Sequence, residues 1–311
     1  MNSQISWPEG KRFAFTVFDD TDDSTLSNTR SVYSFLHDRG FRTTKSCWPT
    51  STVADERAHM GQTCDDADYL RWLLELQSKG FEIGWHGSSW HSVGREHVFS
   101  AMDRFADLFK QYPRTATNHT RNAEGMYWAG YRLTGWRRIA YTLLTGFRNL
   151  GKYEGHIESS DYFWGDLCKE KVKYYRNFVF QDINTLKACP FMPYHDPVEP
   201  YVNHWFASSN GGNVRDYSKC IAERNQDRLE EEGGACIMYA HFARGFDEGG
   251  KLNEQFETLM DRLAKKSGWF VPVGTLLDYL LEKNGHHDIT NVQRRRLERK
   301  WLLQKLLVGT I

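Results

Sequence analysis

A mostly apolar, β-favouring run over residues 13–18 stops abruptly at two adjacent acids, Asp19 and Asp20, and this feature limits the chain most. A short continuous run of this kind reads as a strand buried on both faces. Such strands belong to parallel sheets whose faces are covered by helices. The next hundred residues keep to that plan. Residues 24–39 have helical spacing, with Leu26, Val32, Phe35 and Leu36 on one broad face, and Gly40 stops them. Residues 41–46 read as a second strand, 67–78 as a helix stopped by Gly80, 81–85 as a third strand, 93–110 as an amphipathic helix and 115–118 as a short extended piece. Four alternations of strand and helix predict a parallel sheet or barrel with helices outside.

The polar residues able to do chemistry sit just past these strands: Asp19 and Asp20, then His86, then Asn118 and His119. In parallel α/β folds the ligand site lies at the carboxyl ends of the strands. Their recurrence there favours a site. The middle of the chain is less regular. Residues 131–147 predict a helix, 171–180 and 185–191 predict strands, and 205–207 a short strand running into the polar loop of Ser208, Ser209, Asn210, Gly211 and Gly212. Residues 235–240 are a strong buried strand ending at His241. A helix over 252–265, a strand over 269–273 and a helix over 275–283 follow. Residues 1–288 are expected to form one domain, and 289–311 a tail. The tail is a basic amphipathic helix, in which Arg294, Arg295, Arg296, Arg299, Lys300 and Lys305 outnumber Glu298. It is expected to dock on its own barrel or on a second subunit, with an anionic membrane surface as the other outlet.

Composition narrows the function classes. Basic and acidic residues balance at 40 each, so nothing suggests a nucleic-acid footprint. The six cysteines form no Cys-x-x-Cys pair, which excludes a zinc ribbon and reads as reduced, buried thiols. No secretory leader is recognisable in residues 1–8 and no run reaches the length of a membrane span, so a cytoplasmic protein is expected. Tryptophan and tyrosine are abundant, at 11 and 15 residues. They fill cores and also line carbohydrate clefts.

Asp19 and Asp20 resist burial together unless a cation compensates them; otherwise they form a solvated acidic turn. Paired carboxylates can divide labour, one binding a metal and one acting as a base. The segment Trp85-His86-Gly87-Ser88-Ser89-Trp90-His91 adds imidazoles, ordinary ligands for zinc and related ions beside carboxylate. His241, at the mouth of a buried strand, can donate a proton to a leaving group.

These three elements, in this order over residues 12–283, resemble the NodB-type polysaccharide deacetylases, carbohydrate esterase family 4. The resemblance implies a distorted (β/α)7-type barrel and a divalent metal, zinc before others. It implies Asp20, His86 and His91 as metal ligands, Asp19 as base and His241 as acid. It further implies a hydrolase that removes an N-acetyl group from a sugar. Two features depart from the family pattern. The histidine spacing is one residue longer, and an i, i+5 pair diverges by roughly 140° on a helix, so both rings can reach one ion only from a bent loop. In place of the family's Arg-Pro-rich motif stands Thr117-Asn118-His119-Thr120-Arg121-Asn122, which makes His119 a rival to His91. Asn118, His119, Asp166, Arg176, Ser208 and Ser209 are the expected substrate contacts. A catalytically inactive carbohydrate-binding barrel, or an amidase for another small C–N bond, are the alternatives.

Overall fold

The computed structural model describes residues 5–51, 60–148 and 151–308. Seven parallel strands close on themselves: β1 (Phe13–Asp19), β2 (Thr44–Cys47), β3 (Glu82–Trp85), β4 (Thr115–Ala116), β5 (Tyr174–Phe180), β6 (His204–Gly211) and β7 (Ala235–Ala240), with β7 pairing back to β1. A further short strand, Gly268–Trp269, adds to the start of β1. Helices α1 (Leu26–Asp38), α2 (Ala67–Ser78) and α3 (Arg95–Phe109) follow the first three strands. Each presents its apolar stripe inward: Val32, Phe35 and Leu36 on α1, Leu73 and Leu76 on α2, Met102 and Phe105 on α3 are buried. The chain is thus a closed (β/α)7-type barrel.

Strand alternation divides β1 between two surroundings. Phe18 reaches across the interior to the Phe206 ring on β6 and lies 5.4 Å from the Arg176 guanidinium on β5, strands that do not neighbour β1. Phe15, of opposite parity, packs outward on Phe41. With a period of two, Asp20 follows Phe18 toward the interior and Asp19 follows Phe15 toward the helices.

Several elements differ from the sequence expectation. Residues 185–191 are not a strand. Asn184 caps a helical turn, Thr185–Ala188, by accepting from the Lys187 amide, and the Thr185 hydroxyl is tied to Ser209 at 2.6 Å. β6 absorbs Ser208 to Gly211, which the polar composition assigned to a loop, because β5 and β7 supply ladder partners on both sides. The helix expected over 131–147 is broken at Gly135 (φ +56°) into a 3-10 turn, Ala129–Arg132, and a helix, Trp136–Leu144. The last strand shortens because Pro272 caps the helix Val273–Asn284.

The C-terminal helix, Asn291–Val308, lies against the barrel. Trp301, Leu297 and Leu302 are buried, Trp301 5.8 Å from Phe178 on β5. Glu298 is fully buried and receives the Arg137 guanidinium and the Thr134 hydroxyl. Arg294 forms a buried pair with Asp196 (Nε–Oδ2 2.6 Å). Of the outlets expected for this basic helix, docking on its own barrel is what the structure contains. No helix among the described residues is long and apolar enough to cross a membrane.

Candidate active site

At the carboxyl ends of the strands, three imidazoles converge on one carboxylate, and it is neither member of the expected pair. Asp22 Oδ2 lies 2.9 Å from His86 Nε2 and 3.3 Å from His241 Nε2, and its Oδ1 lies 3.1 Å from His119 Nε2. His86 directly follows β3, His119 follows β4, and His241 directly follows β7. All four residues are buried. Burial alone would raise the Asp22 carboxyl; the charge of His86 and the hydrogen bonds of the three rings outweigh it and hold the carboxyl well below the usual range.

The far side of each ring is anchored. His86 Nδ1 meets the Thr117 hydroxyl at 2.6 Å, His119 Nδ1 the Asn122 carbonyl oxygen at 2.8 Å, and His241 Nδ1 the Gly212 carbonyl at 2.9 Å. The Asn122 orientation is fixed, because its amide nitrogen donates to the Ser89 carbonyl and to Glu124, each at 2.8 Å. Carbonyl acceptors at Nδ1 require N–H there, which leaves the Nε2 lone pairs of His119 and His241 facing the Asp22 carboxylate. Lone pairs turned on an anion need a cation between them, either protons or a metal ion. Two imidazole nitrogens and a carboxylate oxygen, with anchored outer nitrogens, form a donor set suited to zinc or a similar divalent ion.

Asp20 is the second carboxylate in the cavity. Arg176, mid-strand on β5, grips it with both terminal nitrogens, at 2.9 and 2.5 Å, and the Thr117 hydroxyl lies 3.5 Å away. The Arg176 guanidinium stacks 4.6 Å from the Tyr239 ring. Asp20, Asp22 and His241 also offer oxygen and nitrogen atoms within 4.8 Å of one another. A cavity of about 220 Å³ opens over these groups, lined also by Asn118, Trp128, Arg132, Arg244 and Trp301.

Asp19, expected as the base, is outside this cavity. Its Oδ1 accepts the Phe242 amide at 2.8 Å, and its Oδ2 accepts from Tyr33 and Lys45, each at 3.0 Å. Neither it nor Lys45 has measurable exposure. Burial raises the Asp19 carboxyl from its ordinary value against the pull of Lys45. The parity of β1 accounts for this: the residue that leaves the strand facing the helices cannot also face the cavity. His91, expected as a ligand, packs on Trp90 with ring centroids 3.8 Å apart, and no hydrogen bond joins it to Asp20 or Asp22 among the described residues. Gly87 (φ +96°) turns the chain after His86, and the longer spacing carries His91 past the site. His119, its rival, is the ring that meets Asp22.

The remaining expected contacts divide. His119, Arg176 and Asn118 line the cavity, although Asn118 chiefly clamps the following loop, accepting from the Met126 amide and donating to its carbonyl. Asp166 is a partly exposed partner of Arg95, at 2.8 and 2.6 Å. Ser209 faces the helices, bound to Thr185 and to the Asp182 carbonyl. Ser208 is buried in β6 and does not line the cavity. Asp22 itself was missed. The signal was a third acid two residues beyond Asp20, which a turn just past β1 (Ser24 amide to Thr21 carbonyl, 3.0 Å) brings back to the strand ends.

Glu124 supports this arrangement from behind, through Asn122. Burial pushes its carboxyl from 4.5 up to about 7, against the hydrogen bonds it accepts. The unfolded chain ionises near the lower value and the folded one near the higher. The native state therefore holds the extra proton between them, and this contribution, full at acid pH, is lost as pH rises toward 7. The variant Glu124→Gln cannot titrate. Its stability relative to the parent is expected to improve between about pH 4.5 and about pH 7.5 in urea denaturation; an unchanged difference would refute the assignment.

No protein-family model matches the sequence, and no curated protein matches it. Solved structures do. A protein assigned as a polysaccharide deacetylase from Mycobacterium smegmatis superposes with a TM-score of 0.52 over 93% of this chain and 97% of that one, at 12% identity. The fold is that of the polysaccharide deacetylases. A second protein so assigned, from Pseudomonas aeruginosa, matches 89% of this chain and 93% of its own with a TM-score of 0.46 at 12% identity, and the allantoinase PuuE matches 91% and 94% with 0.48 at 11%. On this polysaccharide-deacetylase fold the His86, His119 and Asp22 cluster occupies the carboxyl ends of β3, β4 and β1, where parallel barrels carry their chemistry.

Proposed function

We propose that the chain is a metal-dependent hydrolase that removes the acetyl group from an N-acetylated sugar. The observation that carries this reading is the convergence of three anchored imidazoles on Asp22 beside a second carboxylate clamped by Arg176. Asp22, His86 and His119 would hold the ion, zinc before other divalent metals. Such an ion supplies Lewis-acid activation of water and of the amide carbonyl. Asp20 takes the water's proton. Arg176 fixes the orientation of Asp20 through both terminal nitrogens, and Asp20 thus takes the role the resemblance implied for Asp19. His241, its Nδ1–H committed to the Gly212 carbonyl, takes up a proton on its Nε2 lone pair and passes it to the departing sugar nitrogen. Acetate and an amino sugar leave, the amide C–N bond having been exchanged for C–O. The aromatic walls Trp128 and Trp301 suit the flat face of a sugar ring. The six cysteines are free and buried, which fits a reducing, cytoplasmic setting.

Asp20→Asn tests the assignment of the base. Acetate release from N-acetylated sugars is expected to fall by about 100- to 10,000-fold, with zinc content unchanged by elemental analysis. Wild-type turnover in that variant would overturn the role of Asp20. Full zinc loading with no acetate release from any N-acetylated sugar in the parent would instead favour a binding protein.

A further inference from the structure

The helix Trp136–Leu144 is amphipathic the wrong way round. Its buried residue is Arg137, whose guanidinium meets Glu298 of the C-terminal helix. Trp136, Ile139 and Leu143, at helical spacing, are 62%, 62% and 60% exposed, and Leu144 and Phe147 extend the stripe. The C-terminal helix packs on it through Tyr141 and Trp301 (5.5 Å) and leaves Leu303, Leu306 and Leu307 exposed in its last turns. Most of the large apolar side chains exposed among the described residues lie on these two helices. A helix of a water-soluble barrel turns such a stripe to the core, and a contiguous exposed patch marks an interaction surface.

The charge around the patch selects the partner. Residues 120–153 contain one acid, Glu124, and it is buried, while Arg121, Arg138, Arg148 and Lys152 are exposed. Residues 291–308 contain one acid, Glu298, also buried, beside exposed Arg295, Arg296 and Arg299. An apolar stripe flanked by cations, without an exposed acid, is the composition that lies in an anionic lipid interface. A two-fold contact with a second copy would bring these cations against their own kind.

The same face adjoins the route to the site. A second cavity, of about 340 Å³, is lined by Arg121, Lys152, Tyr141 and Tyr153 and shares Trp128, Arg132 and Trp301 with the first. Arg132 is 7% exposed, its guanidinium lies 3.4 Å from the Trp128 ring, and its Nε and Nη2 are buried without hydrogen-bond partners. Donors of a buried cation left without acceptors are costly, and Arg132 lines both cavities at their junction, where an oxyanion is a suitable partner.

We propose that this face docks on an anionic membrane, and that the substrate is an N-acetylated sugar tethered there through a phosphate that Arg132 receives. The docking rests on the surface alone; the sugar rests on the deacetylase reading. The full chain, zinc-loaded, is mixed with vesicles of phosphatidylcholine containing about 30% phosphatidylglycerol and with vesicles of phosphatidylcholine alone. Sedimentation with the anionic vesicles is expected, weakened by about 0.5 M salt, and reduced at least about tenfold in Ile139→Glu/Leu143→Glu, whose positions are exposed enough to leave the melting temperature unchanged. Failure of the wild type to sediment overturns docking, as does a stable dimer in analytical ultracentrifugation that the double variant splits. Calorimetric titration with N-acetylglucosamine 1-phosphate is expected to give about tenfold tighter binding than N-acetylglucosamine, a gap that Arg132→Gln closes. Equal affinities, or a gap that survives Arg132→Gln, overturn the phosphate assignment. Acetate release is followed in parallel. Vesicle binding without hydrolysis of any N-acetylated sugar overturns the deacetylase reading and leaves docking standing; hydrolysis without vesicle binding does the reverse.

Discussion

Replacing Asp22 by alanine is expected to empty the site of metal and to lower acetate release at least about 1000-fold, the scale of losing several kcal/mol of transition-state stabilisation. Two measurements separate the causes. Elemental analysis of the purified variant should find less than one-tenth of the parent's zinc, and excess zinc should not restore turnover. The effect is large because Asp22 is the point on which His86, His119 and His241 all converge. Without its charge the three imidazoles face one another around a void and lose the anion that organises them. A variant that kept both zinc and activity would show that the ion is held elsewhere, and the proposed ligand set would fall.

Lys45→Met is expected to produce the largest loss of stability, about 3–5 kcal/mol at neutral pH, the usual cost of stripping a buried carboxylate of its partner. Lys45 and Asp19 meet at 3.0 Å with no exposure on either side, and the lysine also donates to Ser24 at 3.1 Å. Methionine keeps the stem volume and removes the charge. Burial already raises the Asp19 carboxyl above 3.8; without the lysine it rises further. A raised carboxyl contributes stability below its unfolded value and loses it as pH climbs through the folded one. The deficit of the variant should therefore shrink on acidification, as Asp19 takes up a proton, and be greatest at neutral and alkaline pH. Denaturant titrations at several pH values check both sign and size. A deficit independent of pH would mean that lost packing, rather than an unpaired charge, sets the cost. Zinc content of the folded fraction should be unaffected, in contrast to the Asp22 variant.

The contrast between these two acids shows what could be read from the chain and what could not. The alternation of short apolar runs and amphipathic stretches was plain over β1 to β4, because each helix carries an apolar stripe and the first two end at a glycine, Gly40 and Gly80. The chemistry at the ends of β1, β3 and β7 was visible for the same reason, since a polar residue closing an apolar run stands out. The choice among Asp19, Asp20 and Asp22 was not. It depends on which parity of β1 faces the barrel interior, and in residues 13–18 both parities are mainly apolar, Thr16 being the one polar side chain, so the sequence does not distinguish them. Phe18 touching Arg176 and Phe206 settles it in space. The exchange of His91 for His119 has a similar origin. The Trp85–Ala116 pairing brings the ends of β3 and β4 side by side, a contact between segments some thirty residues apart in sequence that local spacing cannot register. Ser208 and Ser209 were misread as loop because polarity was taken for exposure; in β6 the hydroxyl of Ser209 is satisfied by Thr185 inside the fold.

The C-terminal helix has a bearing on how the molecule comes into being. Trp301 and Lys305 form part of the cavity wall, yet they come after every strand of the barrel in chain order. Domains made on the ribosome fold from their N-terminal side as the chain emerges, so the barrel and its imidazole cluster can assemble while this wall is still missing. A nascent chain would then have its reactive groups in place but lack the surface that discriminates among ligands. Selectivity would arrive only when this helix has emerged and docked, the step that turns a bare reaction centre into a finished one.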